Sequence, residues 1–141
     1  MTNKFSEFND GIIAEFRAND GNVGGFGDSL LLVHHTGAKS GVERITPSMS
    51  IRDTDNTWLI AASKGGAPQN PAWYHNLLAH PDTTVEAAGR GEFAVCAEEL
   101  VGEERDRAWE GFKALSPGFA QYERMTDRTI PVMRLTRRVD A

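Results

Sequence analysis

Three basic residues in the middle of the chain are candidates for binding an anion. Lys39, Arg44 and Lys64 lie at turns and strand starts among small residues, which allow a ligand to approach the backbone. Few acidic residues occur between positions 37 and 66, so the local field is expected to be positive on a chain whose formal net charge is -5. The group therefore favours an anionic ligand, although each residue taken alone also fits an ordinary solvated surface.

A helix start close to Lys64 strengthens this prediction. Asn70 is a good helix cap and Pro71 suits the first helical position, so a short helix is expected to follow. The first turn of a helix presents backbone N–H groups and the positive end of the helix dipole to an anion. Trp73 and Tyr74 add aromatic surface for stacking, and packing of Trp73 in the core is the alternative.

Several catalytic motifs are excluded by their spacing. Segment 37–40 contains a lysine and a serine, but the phosphate-binding loop of NTPases needs a glycine directly before the lysine, where Ala38 stands. The glycines at 24, 25 and 27 precede a predicted strand, whereas the dinucleotide-binding fingerprint follows one. The chain contains no G-x-S-x-G sequence, which excludes the serine nucleophile elbow.

The histidines and the single cysteine do not indicate a metal or thiol site. His34 and His35 are neighbours on a predicted strand and point to opposite faces, so one is expected in the core and the other at the surface. His75 and His80 do not match the i, i+4 spacing of two zinc ligands on a helix. Cys96 is expected to be a buried, unreactive thiol, and a single cysteine forms no intramolecular disulfide.

The elements that must position these residues are mostly short strands. With 141 residues, 40% of them hydrophobic, the chain is expected to form one domain. Strands are predicted at 30–33, 44–51, 58–62, 83–87, 92–97 and 130–135, and Pro47 places the second of them at an edge or bulge. The strands follow one another as a meander without βαβ alternation. This order predicts an antiparallel α+β domain, with a small closed or partly closed barrel.

Helices are predicted at the N-terminus and near the end of the chain. Trp109, Phe112 and Leu115 predict an amphipathic helix over 102–115, and residues 119–125 suggest a further helical piece. An N-terminal amphipathic helix is predicted over residues 3–19 from the apolar stripe Phe5, Phe8, Ile12, Ile13 and Phe16.

Charge and hydropathy exclude two classes of partner. A net charge of -5 and a pI of about 5.3 argue against a nucleic-acid-binding domain, which carries a basic excess. No segment approaches the roughly 18 apolar residues of a membrane span, so a cytoplasmic protein is expected. The N-terminal helix could contact a membrane surface, but its acidic polar face favours packing on the barrel instead.

Four segments in fixed order resemble the deazaflavin-dependent nitroreductase family. They are TGAKSGVERITP at 36–47, AASKGG at 61–66, NPAWYHNL at 70–77 and TDRTIP at 126–131. The resemblance extends from about Leu30 to Leu135 and is more specific than any single motif. It implies a split β-barrel with flanking helices, related to the flavin-binding pyridoxamine-oxidase-like proteins. Residues 1–28 would then form the N-terminal helix with a glycine-rich tether, and residues 29–141 the barrel domain.

The resemblance also implies a cofactor and the residues that bind it. Reduced coenzyme F420, an 8-hydroxy-5-deazaflavin with a phosphodiester and a glutamate tail, would be the hydride donor. The basic group would bind the phosphate and carboxylates, Trp73 and Asn76 would bound the groove, and Pro47, Ala62 and Ser63 would contact the ring through the backbone. The complete set of implied cofactor-binding residues is Lys39, Ser40, Arg44, Thr46, Pro47, Ala61, Ala62, Ser63, Lys64, Gly65, Ala72, Trp73, Tyr74 and Asn76.

The implied reaction is hydride transfer to an electron-poor planar small molecule, such as a quinone, a nitroaromatic or a conjugated lactone. Met49, Phe119 and Tyr122 would line the substrate pocket, and Tyr122 and Ser116 are the candidate catalytic residues. The family often has several tyrosines in the segment 116–122, where this chain keeps only Tyr122, so solvent is an alternative proton source. Two other functions remain open: an FMN-dependent flavin reductase on the same barrel, and a carrier of the deazaflavin or another ligand. Neither a metal ion nor a particular oligomeric state is indicated.

Overall fold

Six antiparallel strands form a closed barrel in the computed structural model, which describes residues 4–138 without the side chains of residues 4–8. The order around the barrel is β1-β2-β3-β6-β5-β4. The strands are β1 (Leu30–Thr36), β2 (Glu43–Thr54), β3 (Thr57–Ala61), β4 (Asp82–Ala87), β5 (Gly91–Glu99) and β6 (Val132–Arg137). The helices are α1 (Lys4–Ala18), α2 (Ala72–Ala79), α3 (Gly102–Leu115) and α4 (Pro117–Met125), with a short 3-10 turn at Lys64–Gly66.

The register of β2 opens one side of the barrel. All of β2 from Glu43 to Met49 pairs with β1, but its pairing with β3 begins only at Ser50, opposite Ile60. Pro47 lies in the part that has one partner strand, where its missing N–H costs no ladder hydrogen bond. The predicted edge position of this proline is thereby confirmed.

Side chains alternate between the barrel core and the outside along each strand, and this alternation contradicts one expectation. On β5 the side chains of Val95 and Ala97 are buried in the barrel core, whereas Cys96 between them is exposed. The prediction of a buried thiol was therefore wrong, because the apolar composition of the strand hid its two-residue period. Burial of part of the thiol and the nearby Asp82 carboxylate nevertheless raise the pKa of Cys96, which agrees with low reactivity.

Two further expectations about helices need correction. Trp109 and Phe112 are buried under α3 as predicted, but Leu115 is 46% exposed because α3 ends there. The residue that caps α2 is Pro71, while the Asn70 side chain accepts a hydrogen bond from Arg128 instead of capping the helix.

The N-terminal helix packs on the barrel through the end of its apolar stripe. Phe16 is buried with Val23, Leu30 and Leu32, and Ile12 and Ile13 pack against the same cluster. Phe5 and Phe8, which were assigned to the same stripe, lie outside the described side chains. None of the helices in the described part of the chain combines the length and apolar character needed to cross a bilayer.

Candidate functional site

A cavity of about 480 Å³ lies where β2 has no β3 partner. This volume is in the range of sites for small molecules and cofactors. Five parts of the chain surround it: His35 on β1, the strand β2, the end of β3 with the segment that follows it, the start of α2, and α4. Because this stretch of β2 is an edge, residues from both of its faces reach the cavity, namely Arg44, Thr46, Pro47, Ser48 and Met49.

The end of β3 contributes Ala61 to the cavity, and the segment after β3 contributes Ser63 and Lys64. Lys64 has a φ of 46°, which is uncommon for a residue other than glycine, and its side chain is exposed. Such a conformation costs free energy and persists only when the surrounding structure holds it in place. Contacts with other parts of the chain must therefore hold this segment.

Arg128 supplies those contacts. Its guanidinium donates hydrogen bonds to the carbonyl oxygens of Ala62 at 3.1 Å, Ser63 at 2.8 Å and Ala67 at 3.0 Å, and to Asn70 Oδ1 at 2.6 Å. Partial burial lowers the pKa of Arg128. The side chain of Arg128 thus links four residues along the segment 62–70. Arg128 belongs to the segment TDRTIP at 126–131, but its sequence pattern indicates no role for it.

The start of α2 forms the next wall. Pro71, Ala72 and Trp73 line the cavity, so the N–H groups of the first helical turn lie close to it and near Lys64. Trp73 is 8% exposed and belongs to the barrel core as well as to the cavity wall. The two interpretations weighed for Trp73 from the sequence, core residue and ligand surface, are both compatible with this position.

His35 on β1 lines the cavity and belongs to a row of hydrogen bonds. Asn76 Oδ1 accepts a hydrogen bond from the Ala38 N–H at 2.9 Å, and its Nδ2 contacts His35 Nδ1 at 2.9 Å. His35 Nε2 contacts Thr46 Oγ1 at 2.8 Å. Burial, helped by the charge of Arg44, lowers the pKa of His35 to about 4, so the ring is neutral at physiological pH.

The two adjacent histidines point to opposite faces of β1 as predicted, but both are buried. His34 is 8% and His35 is 3% exposed, because the outer face of β1 is itself covered. His34 contacts the carboxylates of Glu43 and Glu86 at 3.0 and 2.8 Å. The expectation that one of the pair would be a surface residue was therefore wrong. Within the described residues, no cluster of three or more potential metal ligands is found.

Helix α4 closes the cavity with two aromatic residues. Phe119 and Tyr122 line it and pack edge to face, with ring centroids 5.8 Å apart. The helix approaches the segment after β3 at Gly66, where an added Cβ would lie 2.9 Å from the Cβ of Met125. Ser116 precedes α4 as its cap residue and does not line the cavity.

The structure thus brings together most of the residues implied by the resemblance. The members that do not line the cavity are Lys39, Ser40, Ala62, Tyr74, Asn76 and Ser116. The surroundings of Gly65 lie outside what the structure describes. Ala62 is fully buried, and its N–H and carbonyl are bound to Pro131 and Arg128. Burial and a hydrogen bond to Glu99 raise the pKa of Tyr74 to about 12. Three cavity residues were missed from the sequence: His35, Ser48 and Pro71.

Comparison with known proteins decides the family. The model of the family described as F420H(2)-dependent quinone reductase matches residues 12–137. The chain belongs to this family. It is 40% identical over 132 residues to the F420H(2)-dependent quinone reductase of Mycobacterium tuberculosis strain H37Rv, covering 89% of this chain and 87% of that protein. The prediction of a deazaflavin-dependent oxidoreductase from four sequence segments is confirmed.

Solved structures place this F420H(2)-dependent quinone reductase family member on a split barrel, the predicted fold class. An F420-H2 dependent reductase, FDR-A, superimposes with a TM-score of 0.68 at 37% identity, covering 76% of this chain and 93% of that one. A structure described as a domain-swapped dimer gives a TM-score of 0.71 at 34% identity, with coverage of 93% and 96%. The heme storage protein HutZ of Vibrio cholerae shares only the fold, with a TM-score of 0.56 at 12% identity and coverage of 92% and 90%.

The cavity fits the coenzyme that gives the family its name. A deazaflavin is planar and apolar on its faces, and the walls from Pro47, Trp73 and Phe119 are apolar. Its tail is anionic, and Arg44 and Lys64 border the same cavity. The donor set therefore suits a flat ring attached to an anionic chain.

Proposed function

We propose that this protein reduces a quinone with a hydride from F420H2, and that both molecules bind in the cavity between β2 and α4. The observation that carries the proposal is the pairing of apolar and cationic walls in one cavity of a family member. When bound, reduced F420 supplies the hydride. The protein itself contributes binding, orientation and a place where a proton can be held.

The cationic side of the cavity is proposed to bind the coenzyme tail. Arg44 lies on the β2 edge, and Lys64 lies on the segment held by Arg128. The N–H groups at the start of α2 face the same region, and together these groups favour phosphate or carboxylate oxygens. Lys39 lies on the exposed turn before β2, outside the cavity, so only an extended tail would reach it.

The apolar side is proposed to bind the ring and the acceptor. The apolar and aromatic residues that line it include Pro47, Met49, Trp73, Phe119 and Tyr122. Hydride transfer needs the donor carbon and the accepting atom in contact, and apolar side chains around the cavity favour two flat molecules stacked in that arrangement. The same side chains keep water away from the reacting atoms.

A quinone that receives a hydride becomes an anion and takes up one proton to give the hydroquinone. Tyr122 is proposed as the substrate contact and proton source on α4, since its side chain lines the cavity beside Phe119. Ser116 is less suited to this role because it lies outside the cavity. Solvent remains the alternative proton source where Tyr122 is removed.

A binding titration followed by a turnover measurement tests the proposal. F420 and, in parallel, FMN are titrated against the protein by fluorescence, and menadione is then added to the protein with F420H2. We expect tight F420 binding and rapid oxidation of F420H2 on adding menadione. Preference for FMN would contradict the cofactor assignment. Tight F420 binding without turnover would contradict the reductase and support a carrier.

Variants of the basic residues test the placement of the tail. Arg44→Ala and Lys64→Ala are each expected to weaken F420 binding by about 10-fold or more, since each removes a charge-assisted hydrogen bond. Arg107→Ala is the matched control, because Arg107 pairs with Glu103 on α3, away from the cavity. Unchanged affinity in a Lys39→Ala, Lys64→Ala double variant would show that the tail binds elsewhere.

A further inference from the structure

One row of hydrogen bonds next to the cavity has a fixed direction. The row begins at the Ala38 N–H, a backbone group that can only donate, so the atom of Asn76 that faces it at 2.9 Å must be the amide oxygen. This orientation turns Nδ2 of Asn76, which can only donate, toward His35 Nδ1 at 2.9 Å. Nδ1 of His35 is therefore the acceptor and carries no hydrogen.

The direction continues through the imidazole ring to Thr46. A neutral imidazole that accepts at Nδ1 carries its hydrogen on Nε2. His35 Nε2 lies 2.8 Å from Thr46 Oγ1, so the ring donates and the hydroxyl oxygen accepts. The hydrogen of the Thr46 hydroxyl is not used in this row and can be donated elsewhere. Thr46 lines the cavity, and the structure gives its hydroxyl no protein acceptor among the described residues.

We infer that Asn76 and His35 are positioning residues that fix the Thr46 hydroxyl as a hydrogen-bond donor into the cavity, where it selects an acceptor oxygen of the bound deazaflavin. The inference rests on the proposed function for the identity of the ligand. This role explains why a polar residue, Asn76, occupies a buried position outside the cavity, where its side chain is 7% exposed. Neutrality of His35 is required, and the low pKa of its ring meets this requirement at pH 7.

Direction matters because a reversed row would present the opposite polarity to the ligand. If His35 carried its hydrogen on Nδ1, Nε2 would accept from Thr46, and the hydroxyl would offer only its lone pairs to the cavity. A ligand oxygen would then face another oxygen without a hydrogen between them. Unpaired polar groups in a closed site cost more than a hydrogen bond gains.

One substitution reverses the row without changing its shape. In Asn76→Asp, one carboxylate oxygen still accepts from the Ala38 N–H, but the other now faces His35 Nδ1 as an acceptor. We expect the histidine hydrogen to move to Nδ1, which turns the Thr46 hydroxyl toward Nε2 and away from the ligand. Thr46→Val removes the hydroxyl at nearly constant shape, and Thr46→Ser keeps it.

The first measurement is made on the protein without any cofactor. Nitrogen-15 NMR of the imidazole ring, assigned by the loss of signal in His35→Gln, reports which ring nitrogen carries the hydrogen. We expect the Nε2–H form in the native protein at pH 7 and a change of form in Asn76→Asp. An Nδ1–H form in the native protein would overturn the inference, whatever the cofactor is.

The second measurement is the affinity for F420. Thr46→Val and Asn76→Asp are expected to weaken binding by a similar factor, about 5- to 10-fold, while Thr46→Ser binds like the native protein. Thr36→Val, a matched change on β1 outside the cavity, controls for the effect of losing a threonine from the barrel. Native affinity in Thr46→Val would overturn the donor role. Failure of the native protein itself to bind F420 would overturn the proposed function, and with it the ligand assigned to Thr46.

Discussion

Two arginines attach two segments to the barrel by different physical means. Arg17 on α1 binds the carboxylate of Glu86 on β4 through two hydrogen bonds, of 3.1 and 2.8 Å, with its side chain 50% exposed. Arg128 binds neutral oxygens of segment 62–70, and its side chain is partly buried. The pKa of Arg17 is raised by its hydrogen bond to Glu86, whereas burial lowers the pKa of Arg128.

The two attachments respond differently to solution conditions. An exposed ion pair is screened by salt and depends on the charge of its acid, so α1 is held by a contact that changes with solution conditions. The segment that carries Lys64 is held by hydrogen bonds whose acceptors do not titrate. The attachment of segment 62–70 by Arg128 is therefore expected to depend little on pH and ionic strength, whereas the attachment of α1 by the Arg17–Glu86 pair depends on both.

The largest effect is expected from Arg128→Ala. Up to four partly buried oxygens lose their donor, and we expect the free energy of unfolding to fall by about 3 kcal/mol. Because Lys64 loses its support, F420 affinity should fall as well. Chemical denaturation and F420 titration measure the two effects, with the exposed Arg124→Ala as the control. A loss of stability no larger than that of Arg124→Ala would show that the four hydrogen bonds do not hold the segment.

The position of Arg128 also shows where prediction from the sequence reaches its limit. Hydrophobic periodicity and turns located six strands, α2 and α3, since these depend on neighbours along the chain. The partners of Arg128 lie about 60 positions earlier, and no local pattern relates them. The row from Ala38 through Asn76 to His35 and Thr46 is equally non-local.

Local composition misled the interpretation in two places for a physical reason. Cys96 belongs to an apolar strand, but only every second side chain of a strand faces the core, so its exposure depends on a register that the sequence left open. One of His34 and His35 was expected in the core and the other at the surface, because neighbouring residues of a strand point to opposite faces. His34 is buried, and its ring contacts Glu43 and Glu86 on neighbouring strands.

The second largest effect is expected from Gly66→Ala, which tests the other contact of the same wall. Gly66 has a φ of 83°, and a Cβ there would lie 2.9 Å from the Cβ of Met125 and 3.1 Å from the carbonyl oxygen of Tyr122. We expect a loss of about 2 kcal/mol and a displaced α4, which lowers quinone reduction.

A matched glycine separates the two causes of this loss. Gly25→Ala has the same conformational cost, since Gly25 has a φ of 87°, but no atom lies within 4 Å of the added Cβ. Thermal unfolding of both variants gives the cost of the clash as the difference between them. Equal losses in the two variants would mean that α4 does not need the close approach at Gly66.

A smaller effect is expected when the acid partner of Arg17 is neutralised. The hydrogen bond from Arg17 lowers the pKa of Glu86 below its usual 4.5, and contacts with His34 act in the same direction. Glu86 therefore stabilises the fold above its unfolded pKa, and this contribution is lost as the pH falls through the lowered folded value.

The experiment compares native protein with Glu86→Gln from pH 7 to pH 3. At pH 7 the native protein should be more stable by about 1 kcal/mol, and the difference should shrink as Glu86 takes up its proton. The stability difference caused by Arg128→Ala should stay constant between pH 7 and pH 5, since its acceptors are neutral. A dependence on pH that stays the same when Arg17 is also replaced by alanine would contradict the assignment of the shift to Arg17.

The smallest effect is expected from Arg17→Ala, and its salt dependence distinguishes the two arginines most directly. The pair with Glu86 is half exposed on the arginine side, so its removal should cost about 0.5 kcal/mol at low salt and less at 1 M salt, where the screening length is about 3 Å. Arg107→Ala, which breaks a fully exposed pair with Glu103, should cost still less.

F420 affinity should be the same in Arg17→Ala as in the native protein, because α1 contributes no residue to the cavity among those described. Reduced F420 affinity in Arg17→Ala would contradict this expectation and would show that the pair with Glu86 affects the cavity through β1. On that strand His34, which contacts Glu86, is next to His35, which lines the cavity.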